Sequence, residues 1–446
     1  MPTVVVKSIG TASRDYSTLQ AWEDAAPANL VTADQVWRGE CYNDSEFTSG
    51  ATILTIAGST SDATRYKELT TATGQSFADN ANKLTNALRY NQANGVAITQ
   101  TGGYTVTMNV TEPYARVSKV QIRYESSSGD YAAFKCNAVG VRLTQSIVWS
   151  RANGGIADLS GNSSTSSYAA NCLFVSTTGA HIGAEGVVMR GRMGLYNCTV
   201  VRVDGGSTTY GIGVDYSNPT IVRNCASFNF QNDLQNTNSS GSTTTTCASN
   251  DTTPHAGFTG SIPYSTATFV SVTAGSEDFR LAAGSALIGI GTADATYAAT
   301  DIVGTARPQD GTYDVGAWEY STVVSISRPS SDVTTSGWTG NPDNVTLFAN
   351  INETTPSNTE FIESPNIIGG EFTTFEFLPT RPAGTWDVTF HARFTGASAQ
   401  ARIHLLDGSN VSQGVSAWQT VTSTFVPYVA SVTTTGTSSR VKIEVQ

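Results

Sequence analysis

Short apolar runs separated by Gly, Asn, Ser and Thr recur along the middle of the chain. Three share one frame: Ala170-Asn171-Cys172-Leu173-Phe174-Val175, Tyr196-Asn197-Cys198-Thr199-Val200-Val201 and Arg223-Asn224-Cys225-Ala226-Ser227-Phe228. Cys172 and Cys198 are 26 residues apart, and Cys225 follows Cys198 by 27. The same step backwards reaches Ser146, inside Thr144-Gln145-Ser146-Ile147-Val148-Trp149, and then Val120, inside Ser118-Lys119-Val120-Gln121-Ile122. Forwards, Cys247 follows after 22. A period in the twenties without a helical pattern predicts one solenoid coil per repeat, its short strands ~4.8 Å from those of the next coil. The expected element is a right-handed parallel β-helix of ~26-residue coils from about Ser118 to Ile290.

Within such a coil, inward positions stack on their equivalents. Val120, Ser146, Cys172, Cys198, Cys225 and Cys247 then form one interior file, where a small apolar thiol fits. The residues just before them, Lys119, Gln145, Asn171, Asn197 and Asn224, fall at a bend. Asparagine tolerates left-handed backbone angles there, and its amide can bond along the stack. A second strand precedes each motif, as in Gly186-Val187-Val188-Met189 and Gly211-Ile212-Gly213-Val214. The six cysteines read as buried free thiols. No Cys-x-x-Cys pair exists and the four histidines are dispersed, so no metal is expected. Parallel stacked side chains also give a poor disulfide torsion.

Composition agrees with an all-β chain. Charged residues make up 14 % of the 446, and Gly (41) is abundant, which suits short strands and many turns rather than helices. Repeated Val, Ile, Phe and Tyr runs argue against disorder. The net charge of −11 and the lack of a basic stripe exclude a general nucleic-acid binder. No apolar stretch is long enough for membrane insertion, and the opening Met1-Pro2-Thr3-Val4-Val5-Val6-Lys7 lacks the order of a signal peptide. The expectation is a protein made in the cytoplasm that leaves it, if at all, without a signal, for instance in virus particles released by lysis.

Asp15-Tyr16-Ser17-Thr18-Leu19-Gln20-Ala21-Trp22-Glu23 resembles the cap helix that opens many pectin-lyase-like right-handed β-helix proteins, with Leu19, Trp22 and Ala25/Ala26 at helical spacing. The stretches Asp301-Ile302-Val303-Gly304-Thr305-Ala306-Arg307-Pro308 and Asp314-Val315-Gly316-Ala317-Trp318-Glu319-Tyr320 are similar to the closing segment of such chains. Residues 61–95 read as an insertion or early-coil loop. Beyond Val324 the pattern changes to period-2 runs such as Trp386-Asp387-Val388-Thr389-Phe390-His391, which predict an antiparallel β-sandwich, jelly-roll-like. The expected domains are 1–322 (β-helix with its N-terminal cap) and 323–446 (sandwich). Arg328-Pro329 to Trp338, with Leu405-Leu406-Asp407-Gly408, looks like a C-terminal module of tailed-phage structural proteins.

Many β-helices cleave or eliminate polysaccharides, so paired carboxylates matter. Glycoside hydrolysis needs two acids ~5 or ~6.5–9.5 Å apart. A repeat of 26 sets no two acids in register: Asp204 maps to Thr178, Asp215 to Met189 and Glu185 to Gly211, while Asp158 misses Glu185 by one residue. Asp204, Asp215 and Glu185 are thus the only catalytic candidates, with Asp204 and Asp215 meeting around a bend. Arg190 and Arg192 share a face but lack the acidic cluster of a calcium-dependent lyase. No Gly-x-Ser-x-Gly elbow or phosphate loop is present. Trp338, Trp386 and Trp418 read as sandwich core ahead of a sugar platform, and Arg381, His391, Arg393 and His404 define no site. No cofactor is expected.

The resemblance implies a bacteriophage virion component, non-enzymatic: a capsid decoration protein, head fibre or tail-associated spike. Its partners would be other capsid or tail proteins and two further copies in a homo-trimer. The alternative is a tailspike that binds or depolymerises host-surface polysaccharide, with acids drawn from neighbouring subunits.

Overall fold

A computed structural model describes residues 1–320 apart from 80–85, 126–131, 152–155, 161–166, 178–186, 191–192, 205–209, 215–219, 237–242, 253, 295, 298 and 310. Beyond these it describes 346–352, 364–365, 372–381, 384–392, 399–407, 409, 411–421 and 426–445. The chain divides into two compact units, Met1–Tyr320 and Ser321–Gln446.

The first unit is a parallel β-solenoid with three sheets where the sequence had signalled two strands per coil. In a representative coil, Arg142–Thr144 lies in sheet 1, Ile147–Ser150 in sheet 2 and Ala157–Ser160 in sheet 3. Among the described residues the sheets hold nine, nine and seven strands. The overlooked third strand is short and abuts the cysteine motif, so it merges with that motif in the sequence. Register explains the constant period. On sheet 1, Arg116, Arg142 and Tyr168 pair in turn, and on sheet 2 so do Gln121, Ile147 and Leu173, each a step of 26 residues. Sheet 3 does not keep that step: Phe134 pairs Ala157, and Ala157 pairs Val187. Loops between sheets 2 and 3 differ in length, and sheet 3 absorbs the difference.

The bend between sheets 1 and 2 is one left-handed residue. Lys119, Gln145, Asn171, Asn197 and Asn224 have φ of 61°, 48°, 54°, 49° and 53°, as the polar file predicts. The interior file follows immediately: Val120, Ser146, Cys172, Cys198, Cys225 and Cys247 are all fully buried. Each of the four stacked thiols donates to backbone carbonyls, Cys198 Sγ to Tyr196 O at 3.2 Å for example, and all six cysteines are free.

The solenoid begins well before Ser118, with Thr3–Ile9 pairing Gln35–Cys41 in parallel. The cap helix α1 (Leu19–Asp24) is shorter than the resemblance implies. Thr18 caps it, and Leu19 and Trp22 are buried while Ala25 is exposed. Gly39 makes room for it: a Cβ there would lie 2.6 Å from Trp22 Cε2. Lys67, itself in sheet 1, is buried between Glu23 (2.5 Å) and Glu112 (2.9 Å), which ties α1 to the first coils.

Coil strands end at Phe258–Thr259. The remainder to Tyr320 does not extend the stack but returns along its side. Sheet 2 carries apolar side chains on both faces. Val148, Phe174 and Val200 point inward, while Ile147, Leu173, Val201 and Phe228 belong to a second core with Phe77, Leu88, Phe269, Phe279, Val303 and Trp318. Residues 61–95 thus supply a sheet 1 strand, Lys67–Thr71, and an excursion that meets the returning chain, where Phe279 N donates to Leu88 O at 3.1 Å. The return is read rung by rung by the bend file. Asn224 bonds Thr292 in both directions (2.7 and 2.9 Å), Asn171 Nδ2 donates to Tyr297 O (3.1 Å), and Gln145 Nε2 donates to Asp301 O (2.9 Å). Asn224 Nδ2 also reaches Asn197 Oδ1 at 3.1 Å, the bond along the stack that the asparagines suggested.

The second unit contains two antiparallel sheets, of four and five strands among the described residues. In them Phe348 pairs His391, and Ile403 pairs Ile443.

Candidate functional site

Asp204 follows the sheet 2 strand Thr199–Arg202 and is held by Arg202, whose Nε and Nη2 donate to its two oxygens at 2.5 and 3.2 Å. Arg202 is buried, so Asp204 neutralises a guanidinium that would otherwise be desolvated alone. Asp215 and Glu185 lie outside the described residues, as do Arg192, Arg393, His181 and Trp338. Asp158 stands opposite Val188 across sheet 3, three residues beyond Glu185, because this rung takes a 30-residue step. Its other neighbour is Lys135, 3.7 Å away. Arg190 ends the strand Val187–Arg190, and Arg381, His391 and Trp386 lie on second-unit strands. Trp418 carries Arg402 over its ring at 4.5 Å, and no metal-binding group of His, Cys, Asp or Glu occurs among the described residues.

The acids of the closing motif meet in a buried knot. Arg307 Nη1 lies 3.1 Å from Glu319 Oε2, and the same guanidinium donates to Asp314 O (3.0 Å) and Gly316 O (2.7 Å). Asp301 accepts from Val303, Thr305 and Glu319 N–H groups, and Asp314 from those of Gly289 and Tyr320. Burial, helped by the Asp314 carboxylate, pushes Glu319 up to about 7 against the pull of Arg307. Every carboxylate here bonds backbone of its own segment, so the motif shapes the return of the chain.

Burial pushes the Cys198, Cys225 and Cys247 thiols well above their ordinary value, so they are poor nucleophiles.

With sheet 2 covered, sheets 1 and 3 offer the solenoid's ladder surfaces. On sheet 1 the outward file reads Arg38, Glu68, Arg116, Arg142 and Tyr168 on successive rungs. Arg38 Nε donates to Glu68 at 2.7 Å. Arg116 lies 3.5 Å above the Tyr66 ring, and Arg142 sits 5.5 Å from that of Tyr168. Tyr168 packs edge-on to Tyr297, which stacks on Tyr196 at 4.0 Å between centroids. Sequence reasoning missed this surface although its signal was present. Four positions before Val120, Ser146 and Cys172 stand Arg116, Arg142 and Tyr168, a basic–aromatic file at the same period.

No protein-family model matches the chain, and no curated protein matches it.

Proposed function

We propose that the chain is a non-catalytic structural appendage of a bacteriophage virion, a decoration protein, head fibre or tail-associated spike, assembled as a homo-trimer. The observation that carries this reading is the use made of its acids. Asp204 is spent on Arg202, Asp158 faces Lys135, and Asp301, Asp314 and Glu319 are consumed in the closing knot. What remains among the described residues is a stiff stacked ladder whose largely apolar sheet 2 outer face is already covered, which suits a projecting spacer. The winding is right-handed in this reading, since parallel crossovers are so in ~98 % of cases. The two antiparallel sheets of the second unit form a jelly-roll-like sandwich that docks or projects. Electron microscopy of assembled particles at side-chain resolution tests it: density for this chain on head or tail is expected, and particles lacking it overturn the assignment.

A second reading, a spike that binds or depolymerises host-surface polysaccharide, is favoured by the outward tyrosines beside Arg142. Release of reducing ends from host glycan by the purified protein would establish the depolymerase form.

A further inference from the structure

The outward file of sheet 1 carries a charge imbalance. Arg38, Glu68, Arg116 and Arg142 occupy consecutive rungs, and rungs of a parallel sheet are ~4.8 Å apart. Glu68 accepts a hydrogen bond from Arg38 Nε. Arg116 and Arg142 are left side by side, and like charges directly opposite on a ladder destabilise it. The chain has 36 acids against 25 bases, yet among the described residues no carboxylate ion-pairs with either arginine. Both guanidinia are nonetheless held in place. Arg116 is clamped over Tyr66 and donates to Ala63 O at 3.3 Å, and Arg142 leans on Tyr168. Arg116 Nε is buried without a hydrogen-bond partner. Burial first, and Arg142 as well, press the Arg116 guanidinium below its ordinary value against the opposing pulls of Tyr66 and Glu68. Two adjacent guanidinium forks, neither ion-paired among the described residues, match an oxyanion on this sheet face, which each can bind through paired N–H groups.

We propose that the Arg116–Arg142 pair on the outward face of sheet 1 binds an oxyanion of carboxylate or phosphate type, on a ligand lying across the coils beside Tyr168. The anion supplies the negative charge that this rung lacks and that Glu68 supplies one rung earlier. The Tyr66 ring orders the Arg116 fork in advance, which lowers the entropic cost of binding, and Tyr168 lies within cation–π reach of Arg142.

The test titrates the full chain with inorganic phosphate and with glucuronate at ionic strength held constant by sodium chloride, using calorimetry and the thermal midpoint. Saturable binding is expected, weakened at least tenfold by Arg142→Gln and severalfold by Arg142→Lys, which keeps the charge but loses the fork. Glu68→Gln removes the competing carboxylate and is expected to tighten binding. Among the described residues the Arg142 side chain makes no hydrogen bond that its replacement would orphan, so both variants at this position should keep the wild-type circular dichroism. Tighter glucuronate binding assigns the anion to an acidic sugar, and tighter phosphate binding assigns it to a phosphorylated ligand. Equal responses of wild type and Arg142→Gln, or no binding beyond the chloride control, overturn the proposal.

Discussion

At the scale of single residues, the bend position does most to define the coil. A left-handed angle costs an ordinary L-residue roughly 1–2 kcal/mol, and asparagine less. Asn224 also joins its neighbour in the stack to the returning chain through Asn197 Oδ1, Thr292 O and Thr292 N. Asn224→Ala should therefore destabilise by about 2–4 kcal/mol, adding backbone strain to lost hydrogen bonds. Asn224→Gly, free of the strain at φ 53°, should cost less. Urea unfolding of the two variants separates the contributions, and equal losses would mean that the angle carries none of the effect. One position along, the interior file accepts a hydroxyl at Ser146, whose Oγ donates to Thr144 O at 2.8 Å. Cys198 Sγ makes the equivalent bond to Tyr196 O, so Cys198→Ser should cost only about 1 kcal/mol. The folded protein should show no thiol reactive to a disulfide reagent, and the denatured protein all six. Reactive thiols in the native state would mean that the file is not closed.

At the scale of elements, α1 cannot stand by itself: isolated helices shorter than ~12–15 residues are marginal in water. It is held by Trp22 in the space that Gly39 leaves, by Gln20 bonding Thr55 N (2.9 Å) and by Glu23 bonding Ala57 N (2.9 Å). Trp22→Ala should cost about 3–5 kcal/mol, and Gly39→Val should dislodge the same ring by collision. Both would uncover the first rung and its unpaired edge, a template for association. Light scattering after gentle warming should show aggregates for the variants at temperatures where wild type stays dispersed, and equal behaviour would deny α1 its capping role. These elements also show what was legible in the sequence. The Cys172–Cys198–Cys225 frame marked the bend and interior file because inward positions and bends are constrained on every coil. The sheet 1 strand keeps the period but merges with the cysteine motif that follows it, whereas the longer step to Val187 and the return of 262–320 along sheet 2 left no periodic trace. Loops outside the coil vary freely, and an apolar run such as Ile147-Val148-Trp149 does not say that both its faces are covered. The Arg116–Arg142–Tyr168 file was legible in principle. It carries bases and a ring where glycoside hydrolysis would need paired acids, so the chemistry of that reaction does not point to it.

For the whole molecule, the balance of shifted carboxylates sets how stability depends on pH. Burial raises Glu112 against the pull of Lys67, raises Asp301 against that of Arg307, and brings Glu319 from its ordinary 4.5 to about 7. An acid whose folded value is raised binds its proton more tightly in the native state, so stability declines as pH climbs through that window. For Glu319 the window runs from about 4.5 to about 7. Exposed acids act in the opposite sense. Hydrogen bonds from Thr64 bring Asp62 down to about 2, and bonds from Ser8 and Arg14 lower Asp15 and Asp44, so their contribution is lost as pH falls below the ordinary carboxylate value of 3.8. The two trends cross near pH 4–5, where the native state should be most stable. The main calorimetric transition should accordingly fall in temperature from pH 5 to pH 7.5, and Glu319→Gln should flatten that fall because the neutral amide has no proton to lose. A transition temperature that rises over this interval, or a variant with the wild-type slope, would place the dominant titrating group elsewhere than in the Arg307 knot. The flattening should also be local. The closing segment covers sheet 2 through Val303, Val315 and Trp318, so hydrogen exchange at the outward rungs Leu173 and Val201 should slow in mild acid along with the knot.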